Sequence, residues 1–404
     1  MARPGHRDRG VEMRVKRVFG VLAIAGMLIL AACQSSASES PSGGESAAPS
    51  AAESQVSYEP ATVRLQLQWL DQAQFAGYFA AVEQGYYDDV ALTVEILPGG
   101  GTIVPQEVGS QPDGPEFTIA WVPKVLQARE AGSDLVHLAQ VFQRSATLSV
   151  AWADAGINEV ADWEGKRIGA WPFGNELEVL ASAQILADLQ DGVDFTRVEQ
   201  DFDMNELIAA QDGWAASDSD CVDVAEAMIY NEWAQLLETE DPNTGELFTE
   251  DQFFVFDYNE LGTAMLQDAL FARQSWLDEG NNREVATRFL QASFRGWMYC
   301  RDNPDDCVQY SIDRGSIWGR GHLAWMMNEI NKLVWPAPDG IGSLDLDVLG
   351  QTIDTATAAG ILTAPPDEAA INSDERIAAL EAIDGDTTGE DWEAPTVEIT
   401  PGGD

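Results

Sequence analysis

The chain has 404 residues, 45% of them hydrophobic and 9% aromatic, enough for two packed cores and too apolar for a wholly disordered protein. Its 22 Lys and Arg stand against 68 Asp and Glu, a net charge of −46. So acidic a chain cannot neutralise a row of phosphates, which excludes a nucleic-acid partner. Its long apolar run covers only residues 18–32, which excludes a polytopic membrane protein.

That run follows Arg14, Lys16 and Arg17 and ends in Leu30-Ala31-Ala32-Cys33. Basic flank, apolar stretch and small residues before a cysteine resemble a bacterial lipoprotein signal, with 1–32 removed and a lipid on Cys33. Met13 stands directly before the basic cluster and is an alternative start. Cleavage leaves three lysines, Lys124, Lys166 and Lys332, in a chain still more acidic. Its acids are spread along the chain, as on a solvated surface. Residues 33–58 are rich in Ser, Ala, Glu, Pro and Gly without periodicity, which predicts a disordered tether.

Strand and helix patterns then alternate. Residues 62–68 alternate like a strand, 74–84 have helical spacing up to Gly85, and 92–97 form a strand closed by Gly99-Gly100-Gly101. Strands follow at 117–120 and 135–142, and 147–152 leaves the first lobe. A new set begins with strand 167–171, helix 176–188, a strand near Val198, helix 204–210 and strand 225–230. Residues 253–258 and 269–273 return toward the first lobe, and 283–301, 324–334 and 346–359 read as helices. The fold class is α/β: two mixed, mostly parallel sheets with helices on both faces, joined by two crossing strands. The predicted lobes are 59–148 plus 275–380, and 149–274, with 381–404 an acidic disordered tail.

Chemistry-bearing motifs are scarce. Six residues separate Cys300 from Cys307, and the two could close a small loop by a disulfide in an exported chain. No spacing supports a metal site, and no cofactor is implied. What stands out is the set of aromatic residues at or just after predicted strands: Trp69, Phe75, Tyr78, Trp121, Trp171, Phe173, Tyr230 and Trp233. In open α/β sheets ligands sit beyond the carboxyl ends of strands, and aromatic faces there can stack on a flat ligand. Polar residues accompany them: Gln68, Gln72 and Gln74 around Trp69, Gly174-Asn175-Glu176 at a helix start, and Asn231-Glu232 after Tyr230. Amides and carboxylates suit the amines and ring nitrogens of a heterocycle. An anion would need a cation, and Arg144 is the arginine nearest a predicted cleft strand.

The stretch Leu67-Gln68-Trp69-Leu70-Asp71-Gln72-Ala73-Gln74-Phe75-Ala76-Gly77-Tyr78 resembles the opening of periplasmic binding proteins of the nitrate/sulfonate/taurine and thiamine-pyrimidine group. Gly165-Lys166-Arg167-Ile168-Gly169 before Trp171-Pro172-Phe173-Gly174, then Tyr230-Asn231-Glu232, and Met327 to Pro336 before Gly340-Ile341-Gly342, extend the likeness over about 60–360. The resemblance implies a two-lobed type II binding-protein fold. It also implies a monomeric, lipid-anchored receptor on the outer face of the cytoplasmic membrane, serving an ABC permease and ATPase. Its ligand would be a planar heteroaromatic vitamin or precursor, thiamine-pyrimidine-like or riboflavin-like. Trp69 or Tyr78 would cover one face, and Trp171, Phe173 or Tyr230 the other, with Trp121 nearby. Glu176, Asn231 and Glu232 would bond the edge, and Gln72 and Gln74 would orient it. The group also includes a pyridoxal-phosphate-dependent pyrimidine synthase. Its lysine would fall on Ala120, its sacrificial histidine on Lys124 and its cysteine cluster on Gly262-Thr263-Ala264-Met265-Leu266, so catalysis is not expected.

Overall fold

The computed structural model describes residues 58–211 and 221–404. The signal, Cys33 and nearly all of the tether lie outside the described residues. Among the described residues no helix is long and apolar enough to cross a membrane.

Among the described residues ten strands form two five-stranded sheets. They are β1 (Ala61–Gln66), β2 (Leu92–Leu97), β3 (Phe117–Ala120), β4 (Leu135–Gln140), β5 (Thr147–Trp152), β6 (Arg167–Ala170), β7 (Thr196–Glu199), β8 (Val224–Met228), β9 (Phe253–Asp257) and β10 (Ala269–Arg273). The first sheet runs β2-β1-β3-β10-β4 and the second β7-β6-β8-β5-β9. In each, one strand opposes the rest: β10 is antiparallel to β3 and β4, and β5 to β8 and β9. β4, β5, β8 and β10 are buried at every position, as strands covered by helices on both faces must be.

Two segments, 141–146 and 262–268, carry the chain between sheets and lie side by side. Gln267 binds them together: its Oε1 accepts from the Ala146 amide at 2.9 Å, and its Nε2 donates to Thr147 Oγ1 and Glu178 Oε2. They are irregular connections rather than strands. β10 lies between β3 and β4, so the second lobe ends before residue 269 instead of at 274. An apolar run such as Ala-Leu-Phe-Ala-Arg fits the interior of either sheet, and its hydrophobicity does not say which one it joins.

The first lobe is thickened by the helices Ala76–Glu83, Asn282–Asp302, Pro304–Asp313 and Arg320–Val334. The helix Ala76–Glu83 lies so close to Asn282–Asp302 that a Cβ at Gly77 would run into the indole of Trp297. Cys300 and Cys307 are joined by a disulfide that links the long helix to the next across Asn303-Pro304.

Residues 381–404 are a structured strap and not a disordered tail. Asp386 bonds Arg301 at 3.0 Å, Trp392 packs on the first-lobe core, and Ile399 packs on a second-lobe cluster. The Gly402 amide then donates to Glu238 O at 2.9 Å. The acidic composition suggested disorder, but apolar and glycine contact points, spaced along the segment, hold it down.

Candidate functional site

Between the lobes lies a cleft lined by Gln68, Trp69, Gln72, Gln74 and Trp121 from the first lobe. The second lobe contributes Trp171, Asn175, Phe202, Met228, Tyr230, Asn231 and Glu232. Most of these residues sit just past the carboxyl end of β1, β3, β6, β7 or β8, where the strands release the chain into loops and helix starts. Nine of the sequence-predicted residues are therefore brought together.

The others are not. Tyr78 is 1% exposed and packs edge-on against Trp297 at 5.6 Å, inside the first lobe, where the helix Ala76–Glu83 meets Asn282–Asp302. Phe173 has a left-handed backbone (φ 65) and is 56% exposed, lining a side recess with Lys124, Asn175 and Phe202. Gly174 packs against the Lys124 side chain, and Glu176 accepts from the Gly174 amide at 2.9 Å and faces Arg197. Glu176 thus holds its own turn and does not line the cleft. Arg144 does not line it either: its guanidinium donates to the carbonyls of Lys332 and Trp335, at the end of Arg320–Val334. Phe202 was missed because it follows a short, exposed strand with no aromatic pattern around it. Met228 was missed because it reads as one more apolar strand residue.

The cleft is narrow, about 40 Å³. Phe202 from the second lobe lies 4.3 Å from Trp69 and 5.9 Å from Trp171, nearly parallel to the latter. Lys124 Nζ donates to Asn175 Oδ1 across the lobes at 2.5 Å, and His322 bridges Glu238 and Asn231 at 2.8 and 2.9 Å. The lobes are closed on each other, and Phe202 occupies the gap between the two indoles. A ring system needs that gap widened by hinge motion or by rotation of Phe202.

Burial governs the electrostatics. Burial raises Glu232 to about 7, although the Met228 amide and Asn231 donate to it. Asp268, behind Trp121 and Gln74, is raised to about 6, again by burial. Lys124 is lowered to about 7 by burial, with Asp268 and Glu176 opposing, and its ammonium lies 4.2 Å over the Trp121 ring. At the hinge, burial raises Glu178 to about 7 although Met265 N, Ser145 Oγ and Gln267 Nε2 donate to it.

These carboxyls give a signed expectation. A carboxyl raised in the fold stabilises while protonated, below about 4.5, and that contribution is lost as pH climbs through about 7. Two groups act in the opposite sense: Lys124, mostly above pH 7, and His137, lowered to about 4 by burial, between about pH 4 and 6.5; the raised carboxyls of Glu178, Glu226, Glu232 and Asp268 outnumber them. The urea midpoint should therefore fall between pH 5 and pH 7.5, and Glu178→Gln should flatten the slope. Equal slopes in wild type and variant would remove Glu178 from the account.

Closed lobes, crossing segments and a cleft at strand ends are the two-lobed architecture of type II periplasmic binding proteins. The solved structure of the alkanesulfonate-binding protein SsuA from Xanthomonas axonopodis pv. citri bound to MOPS superimposes with a TM-score of 0.51 at 16% identity, over 78% of this chain and all (100%) of that one. The desulfurization enzyme DszB shares the fold too, at a TM-score of 0.50 and 13% identity, over 79% and 99% of the two chains. Fold alone therefore does not decide between binding and catalysis. Residues 72–307 match the NMT1/THI5-like family, and the chain belongs to it. Among curated relatives, the riboflavin-binding protein RibY of Chloroflexus aurantiacus is 26% identical over 354 residues, 86% of this chain and 93% of the relative.

Proposed function

We propose that the chain is the solute-binding component of an ABC importer, a monomer tethered by lipid on Cys33 at the outer face of the cytoplasmic membrane, with a permease and an ATPase as partners. Its ligand is a planar heteroaromatic vitamin or precursor, of the riboflavin or thiamine-pyrimidine kind. The observation that carries this is the aromatic line Trp69–Phe202–Trp171 across the interlobe gap. Aromatic faces on both lobes suit a flat ring, and Phe202 marks where one fits. Glu232 supplies a polar edge suited to ring amines. The name of the Chloroflexus relative supports the same ligand class.

An anionic ligand is disfavoured because, among the described residues, no arginine or lysine lines the main cleft. Lys124, in the side recess, is tied to Asn175. Catalysis of the synthase kind would need a Schiff-base lysine and an imidazole beside it. Ala120 and Lys124 stand at those positions, so the imidazole has no counterpart. Borohydride treatment in the presence of pyridoxal phosphate should leave Lys124 unmodified by peptide mass mapping; a fixed adduct there would revive the enzymatic reading.

The test of the ligand class is a thermal-shift panel of riboflavin, the aminopyrimidine of thiamine, taurine and nitrate. A ligand at 100 times its Kd stabilises by about 2.7 kcal/mol. The flat rings should raise Tm and the anions should not. A shift by taurine or nitrate alone would contradict the proposal.

A further inference from the structure

Among the described residues, the amide and carboxylate side chains that line the cleft are, with one exception, already engaged within the protein. Gln72 Oε1 accepts from Trp318 Nε1 at 3.2 Å, and its Nε2 donates to Gln74 at 2.8 Å; Gln74 in turn donates to Asp268 at 2.8 Å. Asn175 is held by Lys124 and the Pro172 carbonyl. Asn231 donates to Glu232 at 2.7 Å and faces His322, and Glu232 also accepts from the Met228 amide. The glutamines expected to orient a ligand thus spend their amides on the first-lobe wall.

Gln68 is the exception. It lines both the cleft and the side recess next to Trp69, it is only 8% exposed, and its Oε1 is buried with no hydrogen-bond partner among the described residues. Buried amide oxygens are nearly always paired, because an unmade bond forfeits the hydration the group had in water. Alternation along the strand that ends at Gln66 explains the placement: Leu65 and Leu67 turn into the core, and Gln66 and Gln68 turn to the other face.

We propose that Gln68 is the specificity-determining residue of the cleft. It reads a ring edge on which an N–H donor and a carbonyl or ring-nitrogen acceptor are neighbours. A carboxamide presents one acceptor and one donor group side by side, and such an edge pairs with both at once; exchanging O and N of the amide leaves the same complementarity. The imide edge of a flavin and the aminopyrimidine edge both carry the pair, whereas a sulfonate carries no donor. The inference rests on the flat-ring reading of the cleft, with Trp69 and Trp171 setting the plane and Gln68 selecting within it.

Calorimetry on the full chain tests it, with riboflavin, N3-methylriboflavin and the thiamine aminopyrimidine against wild type and Gln68→Met. Wild type should bind riboflavin or the aminopyrimidine, and Gln68→Met should weaken that binding by about tenfold or more. If riboflavin is the ring bound, its N3-methyl form should bind wild type about tenfold more weakly, and in Gln68→Met the two flavins should become nearly equal. Because its Oε1 has no partner among the described residues, Gln68→Met should melt no lower than wild type without ligand, which a merely structural role would not allow. Unchanged affinity of Gln68→Met for the bound ring overturns the inference alone. Binding of none of the three rings to wild type overturns the flat-ring reading and the role of Gln68 with it.

Discussion

Trp171→Ala should weaken binding of the flat ring at least about tenfold, and nearer a hundredfold if Trp171 is a central anchor, because truncating such an aromatic costs about 2 kcal/mol or more. Trp171 is 3% exposed and held at three points. Its amide donates to Glu226 Oε2 at 2.7 Å, its Nε1 donates to Asp201 O at 3.1 Å, and its face lies against Phe202. An indole fixed in this way loses little side-chain entropy when a ring stacks on it. Trp171→Phe keeps a face and should recover most of the affinity. Calorimetry with riboflavin and the thiamine aminopyrimidine reads the change, and circular dichroism checks that the variant is folded. Normal affinity in Trp171→Ala would place the ligand elsewhere.

Ending the chain after Ile383 should lower stability by about 3 kcal/mol, and Tm by about 4 °C. The strap that would be lost starts on the first lobe. Asp386 lies against the Arg301 guanidinium, the Thr387 and Thr388 carbonyls accept from the Ile341 and Ala337 amides, and Gly389 packs on Trp335. It ends at the second lobe. Gly403 is buried so close to His322 and Glu238 that it has no room for a side chain, and its φ of +74 suits glycine. Glu238 belongs to the second lobe and His322 to the first, so this contact sits on the line along which the lobes part. A shorter deletion, after Pro395, keeps the Arg301 and Trp335 contacts and removes only the interlobe part. It should cost little in Tm and shift the lobes toward opening, read by small-angle scattering as a larger radius of gyration. Gly321→Leu should do the same, because a side chain there would collide with Thr400. An unchanged melting curve in the longer deletion would show the strap to be passive.

The sheets were legible because alternating apolar segments with glycine at their ends can hardly do anything but form βα units. Trp69, Trp121, Trp171 and Tyr230 were legible for a related reason: each follows directly on a strand whose carboxyl end defines the cleft rim. What stayed hidden depends on contacts between distant segments. Tyr78 sits on a helix and Trp69 in the bend before it, and Trp297, over two hundred residues on, takes Tyr78 into the core. Phe202 became visible only when the lobes were brought together. The strap carries its adhesion in Trp392, Ile399 and three glycines within an acidic run, too sparse a pattern to outweigh its composition. Gln68, Gln72 and Gln74 look alike in sequence. Only the surrounding hydrogen bonds separate two structural glutamines from one without a partner.

The most direct measurement is a crystal structure of the protein grown with riboflavin or the thiamine aminopyrimidine. The expected result is an intact ring between Trp69 and Trp171, with Phe202 moved out of the gap and the ring edge against Gln68. A ring bound outside the interlobe gap, or density for a chemically altered product, would contradict it.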